Sequence, residues 1–198
     1  LGIGNDTAVV AYDNQDGAVA ARLWWMLSFL GHERAAVLEG GYAAWMRAGL
    51  PTSAEPSAIV SRRFIPRVNT AMMISEHELR NKLGQPGVTL VDSREPERYR
   101  GESEPLDAVA GRIPGAVNRY WKEALDERGM YKPAEEQAKR FAGIGRDDEV
   151  IVYSGSGVTA CVNVLALKTA GFANVRLYLG GWSDWISYPG NPVATSEE

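Results

Sequence analysis

The chain is poor in the residues that cross-link or metallate small proteins. Among its 198 residues it has one cysteine, Cys161, and two histidines, His32 and His77. A single thiol excludes an internal disulfide framework, and neither histidine stands at metal-ligand spacing from it. No metal and no organic cofactor is therefore expected, and the scarcity of cysteine fits a reducing, cytoplasmic setting. Long apolar runs are missing too: nothing approaches the roughly 20 residues of a membrane-spanning helix, so no membrane partner is expected. Charge of one sign is not in excess, with 21 Lys and Arg against 25 Asp and Glu and a formal net charge of −4. The basic residues form no stripe, which argues against nucleic acid as a partner. An acidic ligand has to be met by local groups. The chain opens on Leu1 rather than Met, and a secretory signal is not assessable from such a start.

What is present is a repeat. The segment "VVAYDNQDGAVAARLWWMLSFLGHERAAVLEGGYAAW" (Val9 to Trp45) matches "VIVYSGSGVTACVNVLALKTAGFANVRLYLGGWSDW" (Val150 to Trp185). Tyr12 pairs with Tyr153, Gly31 with Gly171, Gly40-Gly41 with Gly180-Gly181 and Trp45 with Trp185, with a one-residue gap in the loop. Each copy reads as an apolar strand, a glycine loop, a helix ending near a glycine, a second strand, and a Gly-Gly turn into an aromatic helix. Strands alternating with helices predict an α/β fold with a mostly parallel sheet covered on both faces. A repeat this long predicts two domains rather than a solenoid.

The second copy is preceded by elements that the first copy lacks. They are a helix near Ser75 to Leu83, a strand over Val88 to Asp92, "RIPGAV" at Arg112 to Val117 and a helix near Pro133 to Phe141. The expected organisation is the C-terminal half of a first domain over residues 1–57, a linker over 58–73 and a complete second domain over 74–198. "PTSAEPSA" has linker composition, and "SRRFIPRV" after it is expected to run extended along the surface.

The segment "VYSGSGVTACV" (Val152 to Val162) joins a strand to a helix through Ser154, Gly155, Ser156, Gly157, Val158 and Thr159. Its glycines let backbone amides converge, and a helix beginning near Gly157 would point its positive end at them, which suits an anion. A tight turn without a ligand is the plain alternative. Gly155-x-Gly157-x-x-Ala160 also fits a dinucleotide fingerprint, but the next strand, "VRLYL", ends without an acidic residue for a ribose. A P-loop is excluded because no Gly-Lys-Ser/Thr follows, and a hydrolase elbow because neither serine has glycine two positions to either side.

The loop "SGSGVTAC" resembles the active-site loop of rhodanese-family sulfurtransferases, in the Cys-Gly-Ser-Gly-Val-Thr form of 3-mercaptopyruvate sulfurtransferases, with Ser154 where that family has cysteine. "VDSREPERYRGESEP" (Val91 to Pro105), "GRIPGAVN" (Gly111 to Asn118) and "LGGWSDW" (Leu179 to Trp185) resemble family segments in the family's order, and Tyr12-Asp13 looks like the inactive first domain. The resemblance implies a tandem rhodanese fold with the first domain truncated. It implies transfer of a sulfane sulfur from thiosulfate or 3-mercaptopyruvate to cyanide or a thiol, through a persulfide on the loop cysteine. A converging set of amides stabilises such an anion and lowers a thiol pKa. Serine breaks the scheme, since a hydroxyl is scarcely ionised near neutral pH and holds no persulfide. Two readings stay open, an altered copy of a cysteine enzyme, which is favoured, and a natural relative without the activity. A non-catalytic module that binds an anion or a partner through the same loop is the alternative function.

The resemblance also distributes roles. Ser154 takes the nucleophile position. Ser156 matches a serine thought to relay a proton, or else satisfies loop amides. Gly155, Gly157, Val158 and Thr159 line the substrate, with Thr159 capping or bracing the helix start. Arg98, in "ERYRG", matches an arginine facing the substrate anion. Where mercaptopyruvate-type members carry a second arginine about nine positions later, this chain has Asp107, as in thiosulfate-type members, so the donor stays open. Asp92 and Arg94 are expected to hold the scaffold together. Cys161, in a helix apolar nearly all round, is expected to be buried and structural. His32 is expected to face solvent and His77 to lie at a helix start. Trp24, Trp25 and Trp45 are expected in a core or interface, and Trp182 and Trp185 over the active-site side of the second domain.

Overall fold

Both copies of the repeat fold into the same succession of elements in the computed structural model, which describes residues 1–196. The first unit runs through β1 (Val9–Ala11), α1 (Ala18–Phe29), β2 (Ala35–Val37) and α2 (Gly41–Arg47), with β1 and β2 parallel. Alanine and leucine favour α1, and Gly31 stops it at φ +80°. The His32 amide then closes back on the Leu27 carbonyl at 2.8 Å.

The rest of the chain adds β3 (Met73–Ile74), α3 (Glu76–Lys82), β4 (Val88–Asp92), α4 (Pro96–Arg100), β5 (Val117–Asn118) and α5 (Ala134–Arg140). The second copy of the repeat follows as β6 (Glu149–Tyr153), α6 (Ala160–Thr169), β7 (Val175–Tyr178) and α7 (Gly181–Trp185). Gly171 ends α6 as Gly31 ends α1, with Phe172 N–H donating to the Leu167 carbonyl at 3.0 Å. The five strands form one parallel sheet in the order β3-β7-β6-β4-β5. Central strands are covered on both faces and so read as continuous apolar runs, and Val150 to Tyr153 are fully buried.

Two clusters fill the sheet faces. On one, Trp25 and Ala21 of α1 pack with Cys161, Val164 and Leu167 of α6, with Phe141 and with Val152, so the first unit contributes to the core of the second. On the other, Ile74, Leu79, Leu90 and Ile113 pack against Tyr153, Tyr178, Trp182 and Trp185. The first unit has the second half of this latter cluster without the first half. Val10 and Tyr12 are 58% and 61% exposed, whereas their repeat partners Ile151 and Tyr153 are fully buried. A cavity of about 520 Å³ opens there, walled by Val10, Tyr12, Leu38, Tyr42 and Trp45.

The segment from Ile59 to Asn69 has no regular structure and is pinned to the first unit, Asn5 bonding Ile65 and the amides of Arg67 and Asn69 bonding the carbonyls of Leu30 and Phe29. Several expectations need correction. The helix expected near Gly157 begins at Ala160, because Gly157 sits at φ +72°, outside right-handed helical space. His32 does not face solvent. The chain beyond Gly31 folds under residues 4 and 64, leaving the ring 1% exposed, bonded to the Gly4 carbonyl and stacked on Phe64. Trp45 is half-buried, on the wall of the open cavity of the first unit. Of "RIPGAV", Val117 enters a strand, and Arg112 makes an isolated bridge to Ala194.

Candidate active site

Strand order decides where a site forms. From β4 the chain crosses to β5 on one side, and from β6 to β7 on the other, so the carboxyl ends of β4 and β6 flank a crevice at the point of reversal. The loop of residues 154–159 follows β6, and Ser93 to Arg98 follow β4. Residues about 60 positions apart in the chain thus meet at the carboxyl ends of the strands, as with the Ser93 amide donating to the Tyr153 carbonyl at 2.9 Å.

The loop turns its early carbonyls toward α7. Ser154 and Gly155 present their C=O groups to α7, where the amides of Trp182 and Ser183 bond them at 2.7 and 3.0 Å. A side chain at Gly181 would overlap the Ser154 carbonyl, and one at Gly157 would overlap the Leu179 carbonyl, so both positions require glycine. Among the described residues, the amides of 155–160 donate to no protein acceptor. Ser154 is 1% exposed, and among the described residues its Oγ has no hydrogen-bond partner. A buried unpaired hydroxyl beside unpaired amides is costly unless a ligand completes it.

The other copy of the repeat displays what such a loop holds. In the first unit Asp13 occupies the position of Ser154, and its carboxylate accepts from the amides of Gln15, Gly17 and Ala20 at 2.8 to 2.9 Å. Gly17, at φ +79°, is the counterpart of Gly157. The first loop, one residue longer, carries its own anion, and the second has a neutral side chain at the corresponding position.

Arg98 comes to the loop from α4. Its guanidinium nitrogens lie 3.5 and 3.8 Å from where a Gly155 Cβ would stand. Its charge is already engaged, by Glu104 at 2.8 Å, Asp107 at 3.3 Å and Glu95 at 3.6 Å. Asp107 also accepts from the Ser183 hydroxyl at 2.7 Å, joining the Arg98 side of the site to α7. Glu104 escaped the sequence reading, since its spacing from Arg98 follows no periodicity. It is nearly buried and accepts from both Arg98 and Arg94 as well as from the amides of Leu106 and Asp107. Burial pushes its carboxyl up, but the Arg98 and amide hydrogen bonds outweigh this and hold it below the ordinary range.

Arg94 and Asp92 form a buried pair at 2.7 Å. Arg94 also donates to the Gly111 carbonyl and lies over Trp182, 4.6 Å from the ring centroid. The pair ties the end of β4 to Glu104, Gly111 and Trp182, a scaffold role as expected. Ser156 is exposed and Val158 and Thr159 half-buried. Thr159 stands at the N-cap without a side-chain capping bond, contrary to the capping expectation, because its backbone is already helical. Cys161 is fully buried, and burial pushes its thiol up to about 12, which suits the structural role expected of it. No helix among the described residues is long and apolar enough to cross a membrane.

Comparison with known proteins matches this geometry to a family. The sequence fits the model described as a rhodanese-like domain over residues 1–48 and 75–188. It is 44% identical over 200 residues to a probable 3-mercaptopyruvate sulfurtransferase of Pseudomonas aeruginosa, covering 99% of this chain and 70% of that protein. It is 37% identical over 202 residues to a putative thiosulfate sulfurtransferase of Mycobacterium tuberculosis, covering 97% and 68%. A variant of EanB, solved with ergothioneine covalently linked with a persulfide cysteine, superposes with a TM-score of 0.86 at 26% identity, over 98% of this chain and 52% of that one. The chain thus spans about half of that structural neighbour. On these likenesses the chain belongs to the rhodanese-like family of sulfurtransferases.

Proposed function

We propose that the 154–159 loop is the sulfur-transfer site, serving a small anionic donor, thiosulfate or 3-mercaptopyruvate, and a thiol or cyanide acceptor. The observation that carries this reading is the run of unpaired amides that follows the buried Ser154, read against the first loop, where amides at the corresponding positions bind the Asp13 carboxylate. With cysteine at 154, a thiolate would attack the outer sulfur of thiosulfate. The S–S bond breaks, sulfite leaves with the electron pair, and a persulfide remains. Cyanide then takes the outer sulfur as thiocyanate and returns the thiolate. The amides would stabilise each anion in turn. Arg98, Gly155, Gly157, Val158 and Thr159 would line the donor, and Ser156, exposed at the loop tip, would be placed to pass a proton.

Ser154 removes the nucleophile, so the chain as it stands is inactive in this reading. The serine itself favours a second reading, a module that binds an anion or a partner without chemistry. Replacing Ser154→Cys and following thiocyanate release with each donor separates them. Turnover is the expected result, and a folded, inert variant would favour the binding module. The split of relatives between two donor names leaves the donor to this measurement.

The domain organisation is part of the proposal: residues 1–57 the back half of a first rhodanese-like domain, 58–73 a linker, 74–198 the second. It is supported by the half-core of Val10, Tyr12, Leu38, Tyr42 and Trp45, whose repeat partners are covered by Ile74, Leu79, Leu90 and Ile113. A cytoplasmic location belongs to the same proposal, on the strength of the scarce cysteine.

A further inference from the structure

The first unit touches the loop from behind. Arg22, on α1, donates from Nη1 to the Gly157 carbonyl at 3.3 Å, across 135 residues of sequence. The Cys161 thiol donates to the same oxygen, also at 3.3 Å. Arg22 is half-buried and its guanidinium lies over the Trp25 ring, 5.4 Å from the centroid, so its side chain is held in place by α1 itself. The repeat does not explain this arginine. Its counterpart in the second copy is Val162, a fully buried apolar residue.

The consequence follows from peptide geometry. A trans peptide points its N–H opposite to its C=O. With the Gly157 carbonyl drawn back toward α1, the Val158 amide faces away from α1, into the loop. Glycine tolerates a wide range of backbone angles, so this peptide could turn over at little cost without a clamp. A cation on the carbonyl also polarises the peptide and strengthens its N–H as a donor.

We propose that Arg22 is a positioning residue for the site: through the Gly157 carbonyl, the first unit holds the 157–158 peptide in the orientation that offers an amide to an anion at residue 154. This rests on reading the loop as an anion site. It gives the first unit a part in the chemistry of the second, beyond packing.

The test uses Arg22→Met, which keeps an apolar stem over Trp25 without charge or donor, and Arg22→Lys, which restores the charge. Arg22→Gln, which keeps a neutral donor, serves if the methionine variant does not fold. In the chain with Ser154 intact, thiosulfate binding is followed by tryptophan fluorescence and by the Val158 amide resonance. Loss of one charge-assisted hydrogen bond should weaken binding about five- to tenfold. In the Ser154→Cys background, the pKa of the introduced thiol is read from alkylation rate against pH. Arg22→Met should raise it, and Arg22→Lys should recover most of the difference. Unchanged thiosulfate affinity and thiol pKa in folded Arg22→Met would overturn the proposal, as would a lysine variant no better than methionine. Should Ser154→Cys turn over no donor while Arg22 is intact, the sulfur-transfer reading fails, and the thiol pKa still decides the role of Arg22.

Discussion

At the scale of single residues, the loop depends on positions that admit no side chain. Gly157 combines φ +72° with a carbonyl where its Cβ would stand, so Gly157→Ala strains the backbone and pushes against Leu179 at once. The expected loss is about 3 kcal/mol of stability, readable as a lowered denaturation midpoint, together with loss of anion binding. An alanine variant with an unchanged midpoint would mean that the loop relaxes freely. Position 154 obeys a different rule. Serine and cysteine differ only in the γ atom, so Ser154→Cys is expected to alter reactivity while leaving the loop glycines and their contacts in place.

At the scale of elements, two charged segments clamp the crevice. The end of β4 and the turn after it supply Asp92 and Arg94, the stretch after α4 supplies Glu104 and Asp107, and α4 carries Arg98 between them. Glu104 is shared by both arginines, and its folded pKa is depressed. A depressed carboxylate stabilises the fold above its unfolded pKa, about 4.3, and this contribution is lost as pH falls through the folded value. Urea midpoints measured from pH 6 down to pH 3 should therefore fall for the parent chain. They should fall less steeply for Glu104→Gln, which starts lower because the buried Arg94 and the half-buried Arg98 lose their shared anion. Parallel pH profiles for the two proteins would show that Glu104 is not a linked group. The same pairing explains why Arg98, although beside the loop, is not a free cation waiting for a donor.

At the scale of the whole molecule, the two units share one core and leave another half-built. Packing of α1 on α6 buries Trp25 with Cys161 and Leu167, which makes the first unit part of the second unit's stability. The opposite face of the first unit exposes Val10 and Tyr12 beside the 520 Å³ cavity. Apolar faces of this kind bind hydrophobic dyes and associate. The chain should enhance the fluorescence of such a dye in its native state. Val10→Ser with Tyr12→Ser should reduce that signal while shifting stability by only about 0.5 kcal/mol, as exposed substitutions do. A signal that persists undiminished would place the dye elsewhere.

Much of this was legible in the chain itself. Local pattern determined the repeated β-α-β-α units, the strand over Val88 to Asp92, the helix stops at Gly31 and Gly171 and the glycine loop, because hydrophobic period and glycine placement act over a few residues. Burial of Cys161 followed from an apolar helix surface in the same way. Tertiary structure alone decided the rest. It turned the Ser154 and Gly155 carbonyls toward α7 and set the start of α6 at Ala160, since Leu179 and α7 lie far along the chain from Gly157. It also buried His32 beneath Gly4 and Phe64. It committed Arg98 to Glu104 and Asp107, and it brought Arg22 to the Gly157 carbonyl. Those contacts depend on strand order and on the docking of one unit against the other, and no spacing within a single segment encodes them.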